Sequence, residues 1–194
     1  MRNPYAPLRY RDEYISIQDS VKKARKEIIV HKVHGTFANL QDILERQRPG
    51  AIHFSGHGVT KEEIREESLK MQDFTLKTKK QIEDDFEKGD AIVLEDDNCL
   101  ARYIYQTDLQ ELVKNTGVKL DFVFMATCHS ETAAKVFLDS GAHHVIAIHR
   151  SKAIHDEAVL TFTRSFYNSL WREGSKICKS FETAKHQVEI EHGI

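Results

Sequence analysis

The apolar positions of this chain change their period repeatedly. From Asp12 to Glu27, the residues Ile15, Ile17, Val21 and Ala24 stand between lysines and arginines on a rough helical stripe, which predicts one amphipathic helix. The run Ile28-Ile29-Val30-His31-Lys32-Val33 is short and β-branched, and it predicts a strand. Gly35 and the helix-starting Thr36 follow, and the stripe Phe37, Leu40, Ile43, Leu44 predicts a helix ending at Arg48-Pro49-Gly50. Ala51 to Phe54 predicts a short strand that delivers Ser55-Gly56-His57-Gly58 at its C-terminal end. Two glycines around one histidine mark a backbone that turns sharply.

Thr60 to Asp90 differs in kind. Asp, Glu, Lys and Arg dominate it, both signs are interspersed, and the apolar positions Ile64, Leu69, Met71, Phe74, Leu76, Ile82 and Phe86 are sparse. Charge patterning predicts a solvated helical or disordered insertion, with a lid or partner-docking arm as the sharper reading. Beyond it, Ala91 to Leu94 predicts a strand, Arg102 to Tyr105 another, and Thr107 starts a helix that closes at Gly117. Leu120 to Met125 is almost continuously apolar, as in a strand covered on both faces, and it ends in Ala126-Thr127-Cys128-His129-Ser130. A helix from Glu131 to Leu138, a strand from Val145 to Ile148 and two long helices, Ala153 to Glu173 and Lys176 to about Ile190, complete the pattern. Strands alternating with helices predict a mostly parallel sheet with helices on both faces.

Composition narrows the function classes. The 194 residues suit one domain, 1–194, carrying an insertion at about 60–90. With 28 Lys+Arg against 30 Asp+Glu, no global charge favours nucleic acid or an anionic membrane, and no apolar run is long enough to span a bilayer. Three cysteines, Cys99, Cys128 and Cys178, make no disulfide framework. They predict free thiols in a reducing, cytoplasmic setting.

In a parallel sheet, reactive groups gather past the C-terminal ends of strands. His57 and Cys128 each stand there, and they converge if the two strands are neighbours. An imidazole that accepts the thiol proton turns cysteine into an effective nucleophile. Backbone N–H groups freed by the glycines beside His57, together with that of Cys128, suit an oxyanion. The competing reading makes a cysteine after a buried strand a small packed hydrophobe, and it applies to Cys99 and Cys178. His53, inside a strand, reads as a hydrogen-bonded core histidine. Metal binding is the rival chemistry, but His53-x3-His57 spans a strand and a turn, His143-His144 point to opposite faces, and neither C-x2-C nor H-E-x-x-H occurs. No metal or cofactor is expected. Serine-hydrolase and P-loop motifs are absent.

The ordered set His53-Phe54-Ser55-Gly56-His57-Gly58, Ala91-Ile92-Val93-Leu94-Glu95-Asp96, Phe122 to Ser130, Ser140 to Ala147, Asp156-Glu157-Ala158 and Ser165 to Leu170 resembles the CHAT domain, a relative of separase, metacaspases and caspases. The resemblance runs from about Glu13 to Glu189. It implies a caspase-hemoglobinase-like three-layer α/β sandwich and a cysteine endopeptidase acting on protein or peptide substrates. In that picture His57 is the general base, Cys128 the nucleophile, and the amides of Gly58 and Cys128 the oxyanion donors. Ala126, Ser130 and Arg150 become candidates for the substrate pocket, with Arg150 able to meet an acidic side chain.

Three departures shape the expectation. CHAT domains usually open with a strand before Asn3-Pro4-Tyr5, so this chain reads as lacking the first central strand, as a fragment or with help from a regulatory partner. Ala126 stands where metacaspases carry an acidic residue, so a Lys/Arg preference does not transfer. The charged insertion is longer than the family pattern. The alternative reading is a catalytically silent caspase-like scaffold that binds a protein partner.

Overall fold

The computed structural model describes residues 8–25, 27–70, 79–96, 98, 100–149, 155–172 and 174–193. In chain order its elements are α1 (Tyr10–Ala24), α2 (Phe37–Asp42), β1 (Ala51–Ser55), β2 (His57–Val59), α3 (Lys61–Lys70), α4 (Lys79–Glu87), β3 (Ala91–Glu95) and β4 (Ala101–Tyr105). There follow α5 (Gln106–Thr116), β5 (Phe122–Ala126), α6 (Glu131–Asp139), β6 (His144–Ile146), α7 (Asp156–Leu170) and α8 (Ile177–His192). These elements fall into two compact units, one within His34–Ala153 and one formed by Ala6–Val33 with Ile154–Ile194.

The first unit is mixed α/β and holds two three-stranded sheets. β1, β5 and β6 lie in the order β1-β5-β6, all parallel, with Ser55 opposite Ala126 at the end of the β1 ladder. β2, β3 and β4 form an antiparallel meander in which His57 pairs with Val93 and Val59 with Ala91. The expected parallel sheet is present as β1-β5-β6, and the antiparallel meander beside it is an addition that the alternation of strands and helices did not predict. The cause is local. His57-Gly58-Val59 is a strand rather than part of a turn, because Gly56 alone redirects the chain and β2 then folds back on β3.

One apolar core serves both sheets. Ile92, Leu94 and Ile104 from the meander meet Val123 and Met125 from β5, with Leu109, Leu112 and Val113 of α5 and Val136 and Phe137 of α6 closing around them. Alternation along β5 sends Phe122 and Phe124 to the other face, and every residue of the strand is buried. Thr36 starts α2 as its sequence requires, accepting the Asn39 amide at 3.1 Å, and a π-helical turn over Ile43–Gln47 extends that helix to the Arg48-Pro49 stop.

The strand predicted over Ile28 to Val33 is not formed. Those residues run without a ladder, and Ile29 is 82% exposed. β-branched composition marks a segment suited to a pleated surface, but only a neighbouring strand supplies the hydrogen bonds.

The second unit is helical. Its buried side of α1 carries Glu13, Ile17, Ser20 and Val21, and Glu13 accepts from Thr163 of α7 at 3.1 Å while Ser20 donates to Asn168 at 3.1 Å. Phe162 of α7 packs edge-on against Phe181 of α8 at 5.4 Å. Cys178, expected to be a packing residue, is instead exposed, because α8 buries Ser180 and Ala184 and turns Cys178 outward. Among the described residues, no helix is long and apolar enough to cross a membrane.

Candidate active site

The site is built where β1 and β5 end side by side. The parallel register brings Ser55 level with Ala126, and the Gly56 amide still reaches the Ala126 carbonyl at 3.4 Å. One residue further on, the buried Thr127 hydroxyl donates to the Gly56 carbonyl at 2.8 Å, tying the two departing segments together. Beyond this tie the chains carry His57-Gly58 on one side and Cys128 on the other.

The approach there is close. A β-carbon added at Gly58 would lie 1.8 Å from the Cys128 carbonyl oxygen and 3.0 Å from its carbonyl carbon. Only glycine permits this packing of backbone on backbone. Gly56 is tight as well: a β-carbon there would come within 2.7 Å of the Phe54 ring. Gly58 is thus the spacing device that lets the histidine-bearing strand press against the cysteine turn, while Gly56 makes room for the Phe54 ring.

Cys128 is partly exposed, and the residue after it, His129, adopts a positive φ of 53°. A left-handed backbone at a non-glycine residue is costly and persists where its surroundings hold it. The turn then enters α6, whose N-terminal end stands just past Cys128. Ser130, a pocket candidate by sequence, is completely buried and its hydroxyl accepts the Ile148 amide at 3.1 Å, so it braces the wall of the site. Ala126 is buried in the last position of β5. Arg150 and Cys99 lie outside the described residues. His53 is half-buried and stacks on Phe124 with ring centroids 4.6 Å apart, a packed position on the side of β1 away from the shared core. Among the described residues, no group of three or more His, Cys, Asp or Glu is arranged to hold a metal ion.

Sequence reasoning missed Thr127. A β-branched hydroxyl directly before the cysteine was the available signal, since such a residue suits both the strand and a side-chain bond to the neighbouring backbone.

A family model for the CHAT domain matches residues 9–192, nearly the whole chain. The chain belongs to the CHAT domain family. No curated protein matches it as a relative. CHAT domains are related to the caspase-like cysteine peptidases, and this one has a histidine-glycine strand and a cysteine turn packed together at the ends of its parallel strands. Peptidase-like chemistry is therefore the reading at family level.

Proposed function

We propose that this CHAT domain is a cysteine endopeptidase of the caspase-hemoglobinase type that hydrolyses peptide bonds in protein substrates. The observation that supports the reading is the close approach of Gly58, the residue after His57, to the Cys128 carbonyl. His57 takes the proton from Cys128 Sγ, and the thiolate adds to the scissile carbonyl carbon. The amides of Gly58 and Cys128 hold the resulting oxyanion. Collapse expels the amine with the proton carried by His57, and water then hydrolyses the thioester to free the thiol. A reducing compartment keeps Cys128 available for this cycle.

The test starts from a Cys178→Ser, Cys99→Ser background, because Cys178 is exposed and reacts with any alkylating reagent on its own. Iodoacetamide is expected to modify Cys128 about tenfold faster or more with His57 present than in His57→Ala, read by intact mass. A peptide library is expected to be cut by the wild-type chain and not by Cys128→Ala. Labelling that is indifferent to His57, together with no cleavage, would overturn the peptidase and leave the partner-binding scaffold.

A further inference from the structure

The turn that carries Cys128 is bounded by two buried hydroxyls that face different strands. On one side the Ser130 hydroxyl accepts the Ile148 amide at 3.1 Å, which fastens the turn to the segment after β6. On the other the Thr127 hydroxyl donates to the Gly56 carbonyl at 2.8 Å, which fastens it to the segment after β1. His129, at its positive φ of 53°, lies between the two anchors, and such a backbone persists where its surroundings hold it. The first turn of α6 adds to the hold on the Ser130 side, where the Ala134 amide donates to the Ser130 carbonyl at 2.8 Å.

The Thr127 anchor differs from the Ser130 one in what it reaches. Gly56 is the residue before His57 and Thr127 the residue before Cys128, so this one bond joins the two candidate residues through their nearest neighbours in the chain. The same oxygen stands 3.7 Å from where a β-carbon would lie on Gly58, the residue after His57. A single buried hydroxyl therefore lies against the backbone on both sides of His57. The parallel ladder contributes less to this spacing, because its register ends at Ser55 and Ala126, and the Gly56 amide reaches the Ala126 carbonyl only at a long 3.4 Å.

We propose that Thr127 is a positioning residue for the dyad: its hydroxyl sets the separation between the backbone that carries His57 and the backbone that carries Cys128, and the effect of His57 on Cys128 depends on it. It acts through Gly56 and Gly58, not on the reacting atoms. Misplacing a reacting group by about 1 Å costs up to about a hundredfold in rate, so a neutral hydrogen bond of modest net worth to the fold is enough to decide reactivity. The inference rests on the dyad reading above, and its test separates the two.

In the Cys178→Ser, Cys99→Ser background, iodoacetamide labelling of Cys128 is timed by intact mass with His57 present and in His57→Ala. The ratio of the two rates is then compared between the parent, Thr127→Val and Thr127→Ser. Valine keeps the branched shape and removes the donor; serine keeps the donor and removes a methyl group. From a parent ratio of about tenfold or more, Thr127→Val is expected to bring the ratio below about threefold, in a chain still folded by circular dichroism. Thr127→Ala, which lacks the donor in a smaller side chain, is run beside it and is expected to behave alike. Thr127→Ser is expected to stay within about threefold of the parent. In the His57→Ala chain, Thr127→Val is expected to change the rate by less than about twofold, since the effect it removes is already gone. A ratio unchanged in Thr127→Val and Thr127→Ala, while labelling of the parent still depends on His57, overturns this inference alone. So does equal slowing with and without His57, which makes Thr127 a brace of the cysteine turn and nothing more. A serine variant as low as the valine variant overturns the hydroxyl as the positioning group. Labelling of the parent that ignores His57 is instead the failure of the dyad, and the inference falls with it.

Discussion

The two sheets of the first unit share one core and follow opposite rules. In β1-β5-β6 the central strand is buried at every position, so its sequence is a continuous apolar run. In β2-β3-β4 one face joins that core through Ile92, Leu94 and Ile104, while the other is covered by helices whose outer positions are mostly charged. The first sheet presents Cys128 from a scaffold with little freedom; the second carries His57 on the face whose Val59, Ala91 and Tyr105 are covered by Ile64 of α3. A site assembled from both combines a rigid half with an adjustable one.

The rigid half should fail globally. Phe124→Ala is expected to cost about 3–5 kcal/mol in a urea melt, in a single cooperative transition. Ile64→Ala, which removes an equally buried side chain from under α3, should instead release α3 and α4 first, seen as lost amide protection over them before the parallel strands exchange. If both variants unfold the whole unit together, the contrast between the sheets is wrong.

Gly58→Ala addresses the junction. Its added carbon meets backbone, not a movable side chain, so an expected cost of about 2–3 kcal/mol comes with a sharp fall in Cys128 labelling. Normal stability and labelling would mean that the two backbones are not pressed together.

His129→Val places a β-branched side chain at the left-handed position after Cys128, with an expected loss of about 1–2 kcal/mol by thermal melting.

The smallest effect concerns alkaline pH. Tyr105, in the antiparallel sheet, has its hydroxyl pushed well above the usual tyrosine range, first by burial and then by the carboxylates of Asp85 and Asp108. The folded state thus keeps a proton that the unfolded chain gives up near pH 10. That stability is complete below pH 10 and is lost as pH rises above it. The stability difference between wild type and Tyr105→Phe should be flat to about pH 9.5 and shift by about 1 kcal/mol at pH 11.

Much of this was legible in the chain. Buried strands such as Phe122–Ala126 announce themselves by apolar continuity, whereas the glycines beside His57 read as a sharp turn and serve, at Gly58, a close approach of backbones. What was not legible depended on partners distant in sequence. Ile28 to Val33 has strand composition and no ladder, whereas His57-Gly58-Val59 has turn composition and is a strand because β3 lies beside it. In the described parts of the insertion, α3 and α4, the sparse apolar residues Ile64 and Ile82 are buried while most of the charged positions are exposed. The order β2-β3-β4 could not be read from alternation, since an antiparallel meander interrupted by helices gives the same pattern.

The pairing of Val59 with Ala91 gives residues 60–90 a topological meaning. The chain leaves the meander and returns to it at a single rung, so this excursion can lengthen, shrink or be exchanged without shifting the register of any strand. A change of length between these two residues leaves the pairing of β2 with β3 in place. Removal of the excursion is not free: Val59 and Tyr105 would lose their cover, so a replacement must bring an apolar face of its own.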